Sequence, residues 1–223
     1  DETYYKILVP EKNSKGKGVR KGYLWVVVGI NTRMIYLLYD DGSRSEKVIL
    51  NELGGCKGII QSDGYSPYRK LESDAYPHIT RIPCLQHIKR KFIDCGEDEP
   101  DAKRIVELIN TLYQNEHKHK IGVDGWTVEQ NLVHRKKYAP DILGEIKDVL
   151  DDIEERGDLL PKSELKEAVT YLRNEWNAVV DIFNYGDTYL DNNIVERMNR
   201  YISLSRKNSL FFGSHKGAER GAI

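Results

Sequence analysis

Asp191-Asn192-Asn193-Ile194-Val195-Glu196-Arg197, near the end of a chain of 223 residues, places three good helix-capping residues just before an acid. Beyond them Ile194, Met198, Tyr201, Ile202 and Ser205 keep a helical period, while Glu196, Arg200, Ser203 and Lys207 form a separate polar stripe. A lone carboxylate above basic and hydroxyl groups suits a site that holds a metal ion and a phosphate backbone. The competing reading is a capping box, Asn193-x-x-Glu196, in which the glutamate only reaches back to a backbone N–H. A second acid stands at a junction. Gly58-Ile59-Ile60-Gln61-Ser62 reads as a short apolar strand that ends on Asp63, followed by glycine and a helix to about residue 71. That puts a carboxylate at the C-terminal edge of a sheet, where open α/β sheets bind ligands. Taken by itself, Asp63-Gly64 is more often a plain turn or cap.

Other constellations are weaker. Cys84-x-x-His87 has metal-ligand spacing, but structural zinc needs four ligands, and the other available pair, His117-x-His119, lies in a different, acidic part of the chain. Zinc is therefore not expected. Lys89, Arg90, Lys91, Arg197, Arg200, Arg206 and Lys207 are candidates for phosphate contacts, with a solvated helix face as the alternative reading.

The elements that must position these residues follow from composition and pattern. A net charge of −1 hides a division: residues 1–96 carry +5, residues 97–187 carry −9 and residues 188–223 carry +3. A polyanionic partner is expected on the outer segments. Three cysteines do not suggest a disulfide framework, and no run of 18 apolar residues or signal peptide is present, so a chain inside the cell is expected. It starts on Asp1 without a methionine, as a piece of a longer protein would.

Residues 3–9 read as a strand, 10–21 as a basic hairpin tip, 22–30 as a strand buried on both faces, and 34–39 as a third strand. A helix over 45–53, the strand ending at Asp63, a fifth strand over 79–83 and a helix over 85–94 follow. Residues 97–187 are helical: one helix carries Ile105, Leu108, Ile109 and Leu112, and the next carries Ile142, Ile146, Val149 and Ile153 between Pro140 and Gly157. A third runs from Leu165 to Phe183. This order predicts an α/β fold: an RNase H-like five-stranded mixed sheet flanked by helices, with an all-helical insertion. Residues 1–96 and 188–223 would form the core. In such a sheet the first strand lies centrally beside the fourth, so Asp1, Asp63 and Glu196 would converge.

The chain also resembles the insertion-sequence 66 family of transposases, bacterial enzymes with an Asp-Asp-Glu triad. The resemblance runs over nearly the whole chain. It rests on Asp1-Glu2-Thr3, Gly22-Tyr23-Leu24-Trp25-Val26, Gln61-Ser62-Asp63-Gly64-Tyr65 and Cys84-Leu85-Gln86-His87 with Lys89-Arg90-Lys91-Phe92. Further matches are Asp191-Asn192-Asn193-x-x-Glu196-Arg197, the segment from Arg206 to Ser214, and Gly217-Ala218-Glu219-Arg220. By position the triad falls on Asp1, Asp63 and Glu196. The resemblance implies metal-dependent cleavage at transposon ends and joining of the 3′-hydroxyl to target DNA. It further implies double-stranded DNA as partner, a homo-oligomer in the full-length complex, a nucleoid-associated protein of the bacterial cytoplasm, and no membrane. For Cys84 and His87 it implies a structural or DNA-positioning pair.

The chemistry explains the acids. Mg²⁺ and Mn²⁺ are hard ions that prefer oxygen ligands and keep several waters, so a few carboxylates and a substrate phosphate complete the shell. Two ions roughly 3.5–4 Å apart activate the attacking oxygen and stabilise the leaving one.

Overall fold

The computed structural model describes residues 1–11, 16, 18–208 and 210–221, without the side chains of residues 205, 207 and 208. Part of the expected basic tip, residues 12–15 and 17, therefore lies outside the described residues. Along the chain come β1 (Glu2–Leu8), β2 (Val19–Gly29), β3 (Met34–Leu38), α1 (Glu46–Leu53), β4 (Gly58–Ser62), α2 (Ser66–Arg69) and β5 (Ile79–Pro83). Then follow α3 (Leu85–Ile93), α4 (Pro100–Glu116), α5 (Val128–Arg156), α6 (Glu164–Ile182), α7 (Asn193–Asn208) and α8 (His215–Arg220). These elements form two compact units, one of Asp1–Cys56, Ser73–Tyr76 and Asn192–Ile223, the other of Lys57–Glu72 and Pro77–Asp191.

In the first unit β1, β2 and β3 form an antiparallel sheet in that order. Leu24, Trp25 and Val26 are consecutive and all buried, so β2 is covered on both faces at its centre, as its unbroken apolar run predicts. Helix α1 buries Val48, Ile49 and Leu53, and α7 packs on β1 and β2.

The second unit opens with a β–α–β element in which β4 and β5 pair in parallel, from Gly58 opposite Ile79 to Ser62 opposite Pro83. Helices α3 to α6 share one core that includes Ile88, Phe92, Ile105, Leu112, Leu150, Ile153, Val169 and Leu172. Each such side chain contributes about 1.5–3 kcal/mol when fully buried.

Two expectations are corrected here. The five strands do not form one RNase H-like mixed sheet. They form a three-stranded antiparallel sheet and a separate parallel pair, and β1 is an edge strand rather than a central one beside β4. The reason is visible on the outer edge of β1. Phe212 bridges Ile7 in parallel; Leu8 N–H donates to the Phe212 carbonyl at 2.9 Å, and Phe212 N–H donates to the Lys6 carbonyl at 2.8 Å. The Tyr5 ring lies 4.4 Å from that of Phe212. The C-terminal segment thus takes edge positions that a fourth strand would need.

Pro140 does not bound a helix either; it lies inside α5. Proline there forfeits one backbone bond and costs about 3 kcal/mol. Tertiary bonds to the turns that precede it offset that loss. Thr127 and Gln130 form a capping box at the start of α5, and Asn131 Nδ2 donates to the Gly186 carbonyl at 2.8 Å. Gly186 is required at this crossing, since a Cβ on it would stand 2.1 Å from the Val128 carbonyl oxygen. Arg135 makes the largest set of bonds, described below.

Candidate active site

Asp1 continues the β1–β2 ladder: Val26 N–H donates to the Asp1 carbonyl at 2.8 Å. Its carboxylate accepts at both oxygens, from Glu2 N–H (2.8 Å, Oδ1) and from Asn199 Nδ2 (2.6 Å, Oδ2). Asn199 comes from α7. That helix is fixed on β1 by two further bonds, Tyr5 Oη donating to the Ile202 carbonyl (2.7 Å) and Arg206 Nη1 donating to the Tyr4 carbonyl (2.7 Å).

The start of α7 is set by Asn192, whose carbonyl accepts from Val195 N–H (2.9 Å) and Glu196 N–H (3.2 Å). Glu196 is therefore the fourth residue of the helix, one place beyond the position a capping box uses. Asn199 follows it at i+3, on the same face. The structure thus brings Asp1 onto the face of α7 that carries Glu196, through a residue that the sequence reading passed over. The missed signal was the i+3 spacing from Glu196 itself.

Among the described residues, no donor meets the buried Asn199 Oδ1. Buried orphan carbonyls are rare and each calls for a reason. The Asn199 amide oxygen and the Asp1 carboxylate bonded to the same side chain are both hard oxygen donors, the kind that Mg²⁺ or Mn²⁺ prefers. Losing a hydrogen bond to a charged group costs about 1.5–3 kcal/mol, and removing a buried orphan returns about 1–3. Asn199→Ala is accordingly expected to change stability in urea by no more than about 2 kcal/mol. A loss above about 3 kcal/mol would make the Asn199–Asp1 bond a structural tie only.

Asp63 belongs to the second unit, between the end of β4 and α2. Its Oδ1 accepts from Tyr65 N–H at 3.0 Å, the ordinary turn that Asp-Gly suggests. The next amide is unusual: Gly64 N–H donates to Tyr171 Oη of α6 at 2.9 Å. Burial pushes the Tyr171 phenol up to about 12, so it stays protonated at neutral pH. Arg81 of β5, also buried, donates to the Ser62 hydroxyl (2.9 Å) and to the Asp63 carbonyl (2.7 Å). Burial raises the Glu175 carboxyl above its ordinary range even though it pairs with Arg81 at 2.7 Å. Sequence reading missed these residues as well. An arginine inside Ile79-Thr80-Arg81-Ile82-Pro83, and an acid on the apolar stripe between Leu172 and Val179, were the signals.

The remaining candidates divide. Lys89 is half-buried on α3, with Arg90 and Lys91 exposed, and Arg197 and Arg200 are exposed on α7. Arg206 is engaged by β1, stacks over the Tyr4 ring at 4.7 Å and donates to Ser203 Oγ. The Lys207 side chain lies outside the described residues. Cys84 is buried directly before α3, and His87 stands in its first turn. His119 stacks on Trp126 at 3.8 Å, with His134 edge-on at 5.3 Å. Among the described residues no group of three or more His, Cys, Asp or Glu side chains could hold a metal ion, and no helix is long and apolar enough to cross a membrane.

Comparison with known proteins gives one family. The model described as "Transposase IS66 family" matches residues 1–220. Three curated relatives come from Sinorhizobium fredii (strain NBRC 101917 / NGR234). Uncharacterized protein y4jD is 30% identical over 188 residues, covering 81% of this chain and 35% of its own length. Uncharacterized protein y4hP is 26% identical over 204 residues (84% and 36%), and y4qI is 28% identical over 237 residues (100% and 42%). The chain thus spans well under half the length of each. The family match includes the strand start at Asp1, the junction at Asp63 and the helix of Glu196, and on that match this chain belongs to the IS66 family of transposases.

Proposed function

We propose that this chain is the catalytic part of a DNA transposase that hydrolyses phosphodiester bonds at transposon ends and joins the resulting 3′-hydroxyl to target DNA. Asp1, Asp63 and Glu196 are the acids that hold Mg²⁺ or Mn²⁺. The observation that carries the reading is the 2.6 Å bond by which Asn199, one turn beyond Glu196, receives the Asp1 carboxylate on α7. Family membership supports the transposase role. When bound, two such ions would supply charge neutralisation at the attacking and leaving oxygens.

The protein's own part is placement. The β1–β2 ladder holds Asp1, the first turns of α7 hold Glu196, and the turn after β4 holds Asp63. Lys89, Arg90, Lys91, Arg197, Arg200 and Lys207 contact DNA phosphates, while Arg206 anchors α7 to β1. Cys84 and His87 fix the start of α3 beside the basic run. Assembly into a homo-oligomer on paired transposon ends completes the proposal.

A strand-transfer assay with a pre-cut transposon end tests it. The expected result is a joined product that requires Mg²⁺ or Mn²⁺ and disappears with chelator. Cleavage of an uncut end without any joining of the pre-cut one would make the protein a nuclease instead.

A further inference from the structure

Arg81 has no exposed side-chain surface, although it sits in the middle of a short apolar strand. A guanidinium removed from water is costly unless its donors are met. Four groups meet it: Ser62 Oγ, the Asp63 carbonyl and Glu72 Oε1 (2.5 Å) accept its hydrogen bonds, and Glu175 Oε2 stands 2.7 Å away as an ion-pair partner. Two of the four lie at the turn that carries Asp63. Glu175, itself 1% exposed, comes from α6, and so does Tyr171, one turn earlier, which accepts the Gly64 amide. A Cβ on Gly64 would stand 2.2 Å from the Tyr171 hydroxyl oxygen and 2.5 Å from the ring carbon that bears it. Glycine is needed at this position because the tyrosine occupies the space of a side chain.

Stability alone does not explain the arrangement. Replacing a buried ion pair by well-packed apolar residues is often neutral or stabilising. What the network fixes is the chain on both sides of one residue. Arg81 holds the Ser62 side chain and the Asp63 carbonyl, and Tyr171 holds the Gly64 amide. An aspartate has a short side chain, so fixing its backbone fixes where its carboxylate can reach.

We infer that Arg81, Glu175 and Tyr171 are positioning residues that aim the Asp63 carboxylate, and that α6 of the acidic helical stretch supplies two of the three. The inference rests on the reading of Asp63 as a metal-holding acid. Groups that orient a metal ligand typically change metal affinity by roughly 10–100-fold when removed.

The test uses the protein that carries this chain, with Mn²⁺ affinity followed by titration calorimetry and Gly64 amide exchange followed by mass spectrometry. Tyr171→Phe keeps the ring and removes only the hydroxyl acceptor; Glu175→Gln keeps the shape and removes the charge. Asp63→Asn is the reference, and the buried Leu172→Ala, which lacks these bonds, controls for general loosening of α6. Tyr171→Phe is expected to weaken Mn²⁺ binding roughly tenfold or more and to speed Gly64 exchange, while Leu172→Ala leaves Mn²⁺ affinity unchanged. If Asp63→Asn weakens Mn²⁺ binding and Tyr171→Phe, still folded, does not, the network is structural and the inference fails. If Asp63→Asn itself leaves Mn²⁺ affinity unchanged, the reading of Asp63 fails and the positioning role falls with it.

Discussion

Asp63→Ala and Glu196→Gln are each expected to lower strand transfer by on the order of 10³-fold or more, while the folded structure persists. The magnitude follows from the size of the barrier. Each 1.36 kcal/mol of lost transition-state stabilisation costs tenfold in rate, and metal-assisted phosphodiester chemistry draws several kcal/mol from the charge its ligands fix in place. The stability side is small. Asp63→Ala loses the turn bond to Tyr65 N–H. Such a bond contributes about 0.5–1.5 kcal/mol net, and about 1 kcal/mol shifts the melting temperature of a chain this size by about 2–4 °C. Glu196→Gln separates the two readings of that residue directly. An amide still accepts a hydrogen bond from a backbone N–H, so a capping role would survive with activity intact. A metal-holding role would not. Full strand transfer by Glu196→Gln, measured beside wild type at saturating Mg²⁺, would remove Glu196 from the site.

The local elements were legible in the sequence because each has a period or a cap of its own. The apolar run of β2, the stripe of α4 and the start of α6 after Pro161 each predict their element within a few residues. Pairing was not legible. An alternating or apolar strand does not name its neighbour, and Phe212, more than 200 residues away, takes part of the β1 edge. Pro140 misled for a related reason. The bonds that keep α5 helical through it come from residues 116 and 182–188, which no local pattern reveals. Tyr201 fits the apolar period of α7 and is nonetheless 69% exposed. Among the candidate acids the residues could be named, but not what holds them. Asn199 lies 198 positions from Asp1, and Tyr171 lies 107 from Gly64.

Glu116→Gln is expected to cost the second unit about 3–5 kcal/mol, the usual penalty for leaving a buried charge without its partner. Arg135 has no exposed side-chain surface and meets Glu116 with two bonds, 3.0 Å from Nε and 2.5 Å from Nη2. It also donates to the carbonyls of Ile182, Tyr185 and Thr188 and to the Thr188 hydroxyl. Burial would raise the Glu116 carboxyl, but the bonds and charge of Arg135, with hydrogen bonds from Tyr138 and Asn131, outweigh it and hold the group below its ordinary value of 4.5. A lowered folded value means that this stabilisation is fully present above the unfolded value and is lost as pH falls through the folded one. Wild type should therefore weaken steeply below about pH 4.5, and Glu116→Gln should show a flatter acid limb from a lower plateau. Arg135→Met is expected to cost more still. A hydrophobic swap can rescue a simple buried ion pair, but here it would strand the Tyr185 and Thr188 carbonyls at about 1–3 kcal/mol each, while the Ile182 carbonyl keeps the Thr188 hydroxyl. Urea titrations at pH 7 and pH 4 measure both effects. A Glu116→Gln protein within 1 kcal/mol of wild type, with an unchanged acid limb, would show that the pair does not hold α5 through Pro140.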